Sequence, residues 1–243
     1  MKRFTSSCAV VACVWVGACG GGSSPTAPTT PTAMSITPTT SVLVIGQSQP
    51  YSTANGAATD VITWSSTDPS ILTIDSTGNA TAIAKGVVTI TAAGATQSAT
   101  LQVQVVPSYQ GNWTGSTTTA ACTSIGGGFT SYCTQSLASG QAFGLTLSQS
   151  GLSVAGSLTK AEPGGVLSGG VTGSIGPGGD ITLTGTLTGV SSGANITATL
   201  ISWNSLATGT TMTGVWAANV TSPQILGIAT AQWSLTGVTL AAQ

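Results

Sequence analysis

The chain has 243 residues, only 4% of them charged, and a formal net charge of −1. This balance excludes a basic surface for nucleic acid. The sequence contains no histidine, which removes the usual general base, the usual zinc ligand and every Ser-His-Asp triad. We therefore expect a protein without enzymatic activity, metal or cofactor.

Residues 1–18 have the three parts of a secretory signal peptide. They begin with Lys2 and Arg3, continue through an apolar stretch from about Cys8 to Val16, and end in small residues. The apolar stretch is shorter than the roughly 20 residues that a transmembrane helix needs. We expect this segment to be cleaved off.

Residues 16–19, with the sequence VGAC, resemble the lipobox of bacterial lipoproteins. The resemblance implies that Cys19 receives acyl chains, palmitate among them, and becomes the new N-terminus. Each buried methylene contributes about 0.8 kcal/mol, so two or three acyl chains form a lasting membrane anchor. Gly20 stands where aspartate would favour inner-membrane retention in Gram-negative bacteria, which favours the outer membrane or cell surface. The alternative is an ordinary signal peptide with a cysteine there by chance.

Two cysteines remain for pairing once the signal peptide and the lipidated cysteine are set aside. Cys8 and Cys13 leave with the signal, so Cys122 and Cys133 form the remaining pair. Export to an oxidising compartment favours a disulfide between them. The loop between the two cysteines contains three glycines, at residues 126–128, and is too rich in glycine to become ordered by itself. We expect the disulfide to hold this loop in place. A redox or metal-binding pair is the alternative, but the spacing is not CxxC.

Residues 19–33 form a tether, because Gly, Ser, Thr and Pro dominate and no apolar periodicity exists. From 34 to 107, short β-rich runs alternate with turn residues, which is typical of a β-sandwich. Leu101, Val103 and Val105 share one strand face. The predicted strands are Ser35–Thr37, Ser41–Ile45, Gln49–Thr53, Val61–Ser65, Leu72–Ile74, Ala80–Ala84, Val87–Ala92 and Ala99–Val105.

This segment resembles the bacterial Ig-like domain of group 2 along its whole length. The resemblance is carried by ITP at 36–38, VIGQ at 44–47, ITWSS at 62–66, IDSTG at 74–78, AIAKG at 82–86 and VTITA at 88–92. It implies that Trp64 packs between two sheets. Asp68 and Asp75 are interpreted as turn formers, since a calcium site would need 6–8 oxygen ligands.

From 108 to 243 the strands are longer, alternate clearly and are separated by glycine-containing turns. The pattern predicts an all-β chain: an Ig-like β-sandwich followed by an antiparallel up-and-down β-barrel or meander of about eight strands, without helices. Barrel closure would protect the edges of so uncharged a sheet. Glu162 and Asp180 are interpreted as residues of Gly/Pro turns.

The last segment loosely resembles calycin-type barrels such as avidins and lipocalins. The opening Gly111-Asn112-Trp113 and the later Trp203, Trp216 and Trp233 carry this resemblance. Residues 114–116 lack the polar pattern of avidins, so biotin binding is not expected. The four tryptophans either fill a small barrel or line a ligand pocket.

Two functions follow from these observations. The first is a structural, adhesive or interaction role in the cell envelope, with the Ig-like module as spacer or adhesion unit and an envelope protein or polysaccharide as partner. The alternative is a protein that binds a small apolar ligand or glycan in the terminal barrel. A tryptophan-lined cavity of roughly 300 Å³ or more would favour the alternative.

Overall fold

The computed structural model describes residues 32–56, 60–137 and 140–241. The predicted signal peptide, Cys19 and most of the tether therefore lie outside the described residues. The described chain forms two β-structures in succession, an N-terminal module up to Val106 and a barrel from Gly111 onward. Each has its own hydrophobic core.

The N-terminal module consists of nine short strands among the described residues. They are β1 (Ser35–Thr37), β2 (Val42–Val44), β3 (Ser48–Pro50), β4 (Ser52–Ala54), β5 (Thr63–Ser66), β6 (Leu72–Ile74), β7 (Asn79–Ala82), β8 (Gly86–Ala93) and β9 (Ser98–Val106).

These strands form a four-stranded sheet in the order β2-β9-β8-β5, a three-stranded sheet β3-β7-β6 and the pair β1-β4. Strand β2 runs parallel to β9, whereas the other pairs are antiparallel. The predicted alternation on β9 is confirmed, because Val103 and Val105 are fully buried and Gln102 is exposed. The residues that alternate in sequence thus build one side of the core.

One predicted strand, Gln49–Thr53, is two strands in the structure. The chain changes sheets at Tyr51, so that β3 pairs with β7 and β4 pairs with β1. The Tyr51 hydroxyl donates to Thr40 O over 2.7 Å, and its backbone N–H donates to Gly78 O. These bonds satisfy the polar groups of the residue at the corner, which a pattern of alternating residues does not reveal.

Trp64 is only partly buried, but its ring lies against the other sheet, because a Cβ added at Gly78, in the turn between β6 and β7, would be 3.0 Å from Trp64 Cε2. It belongs to β5, the edge strand of the four-stranded sheet, and packs against the module's core from there. An edge strand leaves part of a large ring in contact with solvent.

The second β-structure is a closed barrel of eight antiparallel strands, which confirms the predicted all-β fold and its barrel form. The strands are β10 (Gly111–Ile125), β11 (Gln141–Ser150), β12 (Ser153–Glu162), β13 (Gly165–Ile175), β14 (Ile181–Ser191), β15 (Ala194–Thr208), β16 (Thr211–Thr221) and β17 (Ile228–Leu240). Strand β10 pairs with both β11 and β17, so the sheet has no free edge.

Apolar residues at alternate positions fill the barrel interior. On β14, for example, Ile181, Leu183 and Leu187 are at most 2% exposed, while the threonines between them face outward. The turn at Ser192-Gly193, between β14 and β15, has positive φ at both residues, 50° and 82°. Such a turn matches the right-handed twist of the strands that it joins.

A helix that the sequence pattern does not predict lies between β10 and β11. It is α1 (Thr130–Leu137), with the sequence TSYCTQSL. Threonine, serine, tyrosine and cysteine are weak helix formers, which explains why the sequence did not indicate it. Tyr132, Cys133 and Ser136 are buried, so α1 is held by its contacts with the barrel.

The glycine-rich segment before α1, which the disulfide is expected to hold, packs closely against neighbouring residues. Strand β10 continues to Ile125. Gly128 lies so close to the loop before β17 that a Cβ added at this residue would be 2.2 Å from Leu226 O. Phe129, fully buried, follows directly. The glycines thus allow close packing against the loop before β17, which offsets their entropy cost.

Candidate functional site: the barrel interior

An aromatic column occupies the middle of the barrel. The Phe143 and Trp203 ring centroids are 6.2 Å apart, those of Trp203 and Trp216 are 5.6 Å apart, and those of Trp216 and Trp233 are 4.2 Å apart. None of the four side chains is more than 4% exposed. Stacking and burial of this kind make the column a large part of the barrel core.

Strand register brings these tryptophans together. Trp203 on β15 is directly opposite Trp216 on β16, and Trp216 is directly opposite Trp233 on β17. Residues opposite one another on the same sheet face have neighbouring side chains. The pairing explains why three of the four predicted tryptophans meet.

Trp113, the fourth, lies apart from this column. Its indole Nε1–H donates to Tyr109 O over 2.8 Å, and its ring centroid is 6.5 Å from that of Tyr109. It is fully buried. Trp113 therefore anchors the start of β10 and does not extend the column.

A cavity of about 140 Å³ opens beside Trp216 and Trp233 in the barrel wall. The outward-facing Ser202, Val215 and Gln232 also line it. This volume is below the roughly 300 Å³ of typical small-molecule sites. The tryptophans fill space with one another and leave little room for a ligand at this place.

A polar cluster adjoins the column: Lys160 and Glu162 on β12, Gln141 at the start of β11, and Tyr132 on α1. Lys160 Nζ donates to Glu162 Oε1 over 2.7 Å and also to Gln141 Oε1. The Tyr132 hydroxyl donates to Glu162 Oε1 over 3.3 Å. Lys160 Nζ lies 4.9 Å from the ring centroid of Trp233, within cation–π range.

Burial controls the charge states in this polar cluster. The side chains of Lys160 and Glu162 are fully inaccessible to solvent. Loss of hydration lowers the pKa of Lys160, although the Glu162 carboxylate acts in the opposite direction. Burial, and then the same carboxylate, raises the pKa of Tyr132, which keeps its hydroxyl protonated as a donor.

Several buried polar atoms have no hydrogen-bond partner within the described parts of the chain. In the polar cluster they are Gln141 Nε2 and Glu162 Oε2, on α1 it is Ser136 Oγ, and in the column they are the indole nitrogens of Trp216 and Trp233. Unpaired buried polar groups are costly and uncommon, so each needs an explanation.

The sequence pattern does not indicate this polar cluster, and the prediction that Glu162 lies in a turn is wrong. Glu162 is the last residue of β12 and is 7% exposed. Leu158, Lys160 and Glu162 follow one another at alternate positions on one strand, so they share the inward face. This alternation is the sequence feature that indicates an inward-facing Lys160 and Glu162. It is easily discounted, because lysine and glutamate are rarely buried.

The predicted disulfide between Cys122 and Cys133 is confirmed. It joins β10 to α1 with a Cα–Cα distance of 5.2 Å. The crosslink holds the helix beside the barrel strand, and that helix contributes Tyr132 to the polar cluster.

Asp68 and Asp75 stabilise turns of the N-terminal module, as predicted. Asp68 Oδ1 accepts hydrogen bonds from the backbone and the side chain of Ser70, and Asp75 Oδ1 from those of Thr77. These bonds lower the pKa of both carboxyl groups. Across residues 32–56, 60–137 and 140–241, His, Cys, Asp and Glu form no cluster of three or more that would suit a metal ion.

Residues 31–105 match the family model of the bacterial Ig-like domain, group 2. This confirms the resemblance predicted for the N-terminal module and indicates a structural or adhesion-type module there. No curated protein matches the chain. None of the described helices is long and apolar enough to cross a membrane.

Proposed function

We propose that the chain is a lipid-anchored structural or adhesive protein of the bacterial cell envelope. The sequence of residues 16–19 carries this proposal, because VGAC follows a basic start and an apolar stretch and precedes a tether. Acyl chains on Cys19 hold the protein at the outer membrane or cell surface. The Ig-like module and the barrel then extend from the tether toward an envelope protein or polysaccharide.

The barrel has a non-catalytic, structural part in this proposal. The column of Phe143, Trp203, Trp216 and Trp233 supports that part, because the rings contact one another. The Lys160–Glu162 pair is closed to solvent, whereas a catalytic acid or base must reach its substrate. Native mass spectrometry of the purified chain should therefore show no co-purifying small molecule; a stoichiometric ligand would favour the alternative function.

The anchor is tested by blocking its processing. Globomycin, which inhibits lipoprotein signal cleavage, should make the uncleaved precursor accumulate, and Cys19→Ser should abolish incorporation of labelled palmitate. Cys13→Ser is the matched control, since that cysteine lies within the predicted signal peptide and should leave both readouts unchanged. Normal cleavage in globomycin, without palmitate on the wild-type chain, would contradict the proposal.

A further inference from the structure

The contact between Lys160 and Gln141 joins two neighbouring strands inside the barrel. Phe143 on β11 is directly opposite Lys160 on β12. Gln141 is two residues before Phe143 on β11, and Glu162 is two residues after Lys160 on β12. Each therefore occupies the next inward-facing position of its strand. Lys160 Nζ donates to Gln141 Oε1, which is one bond from the amide carbon Cδ, and to Glu162 Oε1 over 2.7 Å.

The amide nitrogen and the second carboxylate oxygen of this group have no other role in the described structure. Neither Gln141 Nε2 nor Glu162 Oε2 has a hydrogen-bond partner there, although both are buried. The Lys160 amine thus contacts both the Gln141 amide, whose nitrogen is unpaired, and the Glu162 carboxyl group. These are the groups that an amide exchange requires.

The surroundings exclude solvent from the contact. Lys160 is fully buried, and the Trp233 ring lies 4.9 Å from Nζ. The buried Tyr132 of α1 donates its hydroxyl hydrogen bond to Glu162, and the disulfide at Cys133 holds α1 in place. Exclusion of water prevents hydrolysis from competing with attack by the amine.

We propose that Lys160 and Gln141 form an intramolecular isopeptide bond, with Glu162 as general acid and base. In this reaction the Lys160 Nζ–Gln141 Cδ bond forms and the Cδ–Nε2 bond breaks. One proton passes from Nζ to Nε2 through the Glu162 carboxyl group, and ammonia leaves. The balance needs no oxidant and no co-reactant.

Local chemistry supports attack by the Lys160 amine. Burial lowers the pKa of Lys160, which favours the neutral amine that acts as nucleophile. Glu162 is within hydrogen-bond distance of Nζ, as a general base must be. Fixed neighbours in one fold react at very high effective concentration, so an unactivated amide becomes an accessible target.

The test uses the scarcity of basic residues in the chain. After Arg3, trypsin has only Lys85 and Lys160 as cleavage sites, and its specificity pocket requires a free basic side chain. The full-length protein is denatured, reduced, alkylated and digested. We expect cleavage after Lys85, no cleavage after Lys160, and a fragment of residues 86–243 lighter by one ammonia than the mass calculated for that sequence with Cys122 and Cys133 alkylated.

Exposed Lys85 is the internal control for digestion. Equal cleavage after both lysines in the wild-type chain would overturn the proposal. An uncut fragment with the full calculated mass of the alkylated sequence or a greater mass, or one lighter by a water molecule as for a bond to Glu162, would overturn it as well. The wild-type result alone decides, whether or not the variants fold.

Variants then assign the roles. Gln141→Met removes the acyl group and Glu162→Gln removes the proton carrier, so both should restore cleavage after Lys160. Gln135→Met is the matched control, because Gln135 lies on α1 but is exposed, and it should keep the fragment uncut. Persistence of the ammonia loss in Gln141→Met would show that another amide reacts.

Discussion

At Gly78 the backbone has a φ of +84°, and an added Cβ would lie 2.4 Å from Tyr51 O and 3.0 Å from Trp64 Cε2. Gly46, in the same module, has a φ of +88° and no atom within 4 Å of such a Cβ. The two glycines therefore share a backbone conformation that disfavours other residues, but they differ in the space around them.

This difference leads to a prediction for Gly78→Ala and Gly46→Ala. The left-handed conformation should lower the free energy of unfolding of both variants by about 1–2 kcal/mol. Overpacking should lower that of Gly78→Ala by about a further 1–3 kcal/mol. Urea unfolding of the two variants measures the gap. An equal decrease in the free energy of unfolding of both variants would show that the backbone near Tyr51 moves to accommodate the added Cβ without an energetic penalty.

At the scale of single residues, the sequence predicts which residues form turns, but it does not predict that the charged Lys160 and Glu162 are buried. Asp75 and Gly78 have the residue types that a turn requires, and the structure places both in one. The Pro-Gly pair after Glu162 indicates a turn there, and glutamate is seldom buried, so the sequence does not predict a buried Glu162. Its partner Lys160 was overlooked for the same reason.

At the scale of elements, α1 depends on a crosslink. Cys122 and Cys133 are separated by 11 positions, and Tyr132, Cys133 and Ser136 form the helix face turned toward the barrel. A helix of 8 residues is too short to be stable by itself. Its order therefore comes from the disulfide and from this buried face.

Replacing both cysteines by alanine should lower the free energy of unfolding by about 3 kcal/mol, because a closed loop of this length removes conformational entropy from the unfolded chain. Amide hydrogen exchange should rise first in residues 130–137 and stay slow in β13 and β14, which serve as the internal control. Reduced wild-type protein should behave like the double variant. Unchanged protection of α1 in both would show that its buried face suffices.

Elements with a clear period could be predicted, and those set by tertiary contacts could not. The alternation on β9 and β14 predicted their strands and their buried faces. The corner at Tyr51 and the helix α1 have no period of their own, since distant carbonyls and a disulfide determine them. The tryptophans were predicted as barrel residues, but their stacking follows from a register that alternation does not supply.

At the scale of the whole molecule, the two β-structures meet without a spacer. Val105 belongs to the core of the N-terminal module, whereas Val106 belongs to that of the barrel. Tyr109 is fully buried and donates from its hydroxyl to Gly179 O over 2.7 Å. Gln104 Nε2 donates to Gly176 O over 3.0 Å, from the module to the turn before β14.

These contacts predict that both parts tumble as one body, although relative motion is the usual behaviour of linked domains. NMR relaxation should give one rotational correlation time for the Ig-like module and the barrel. A short Gly-Ser insertion after Pro107 should separate the two times, because it frees the module from the anchor at Tyr109. The same insertion at Gly209, where an added Cβ would meet no atom within 4 Å, should leave them equal. Two different correlation times in the wild-type protein would mean that the contacts of Gln104 and Tyr109 do not hold the module in place, and a spacer would then begin at Pro107.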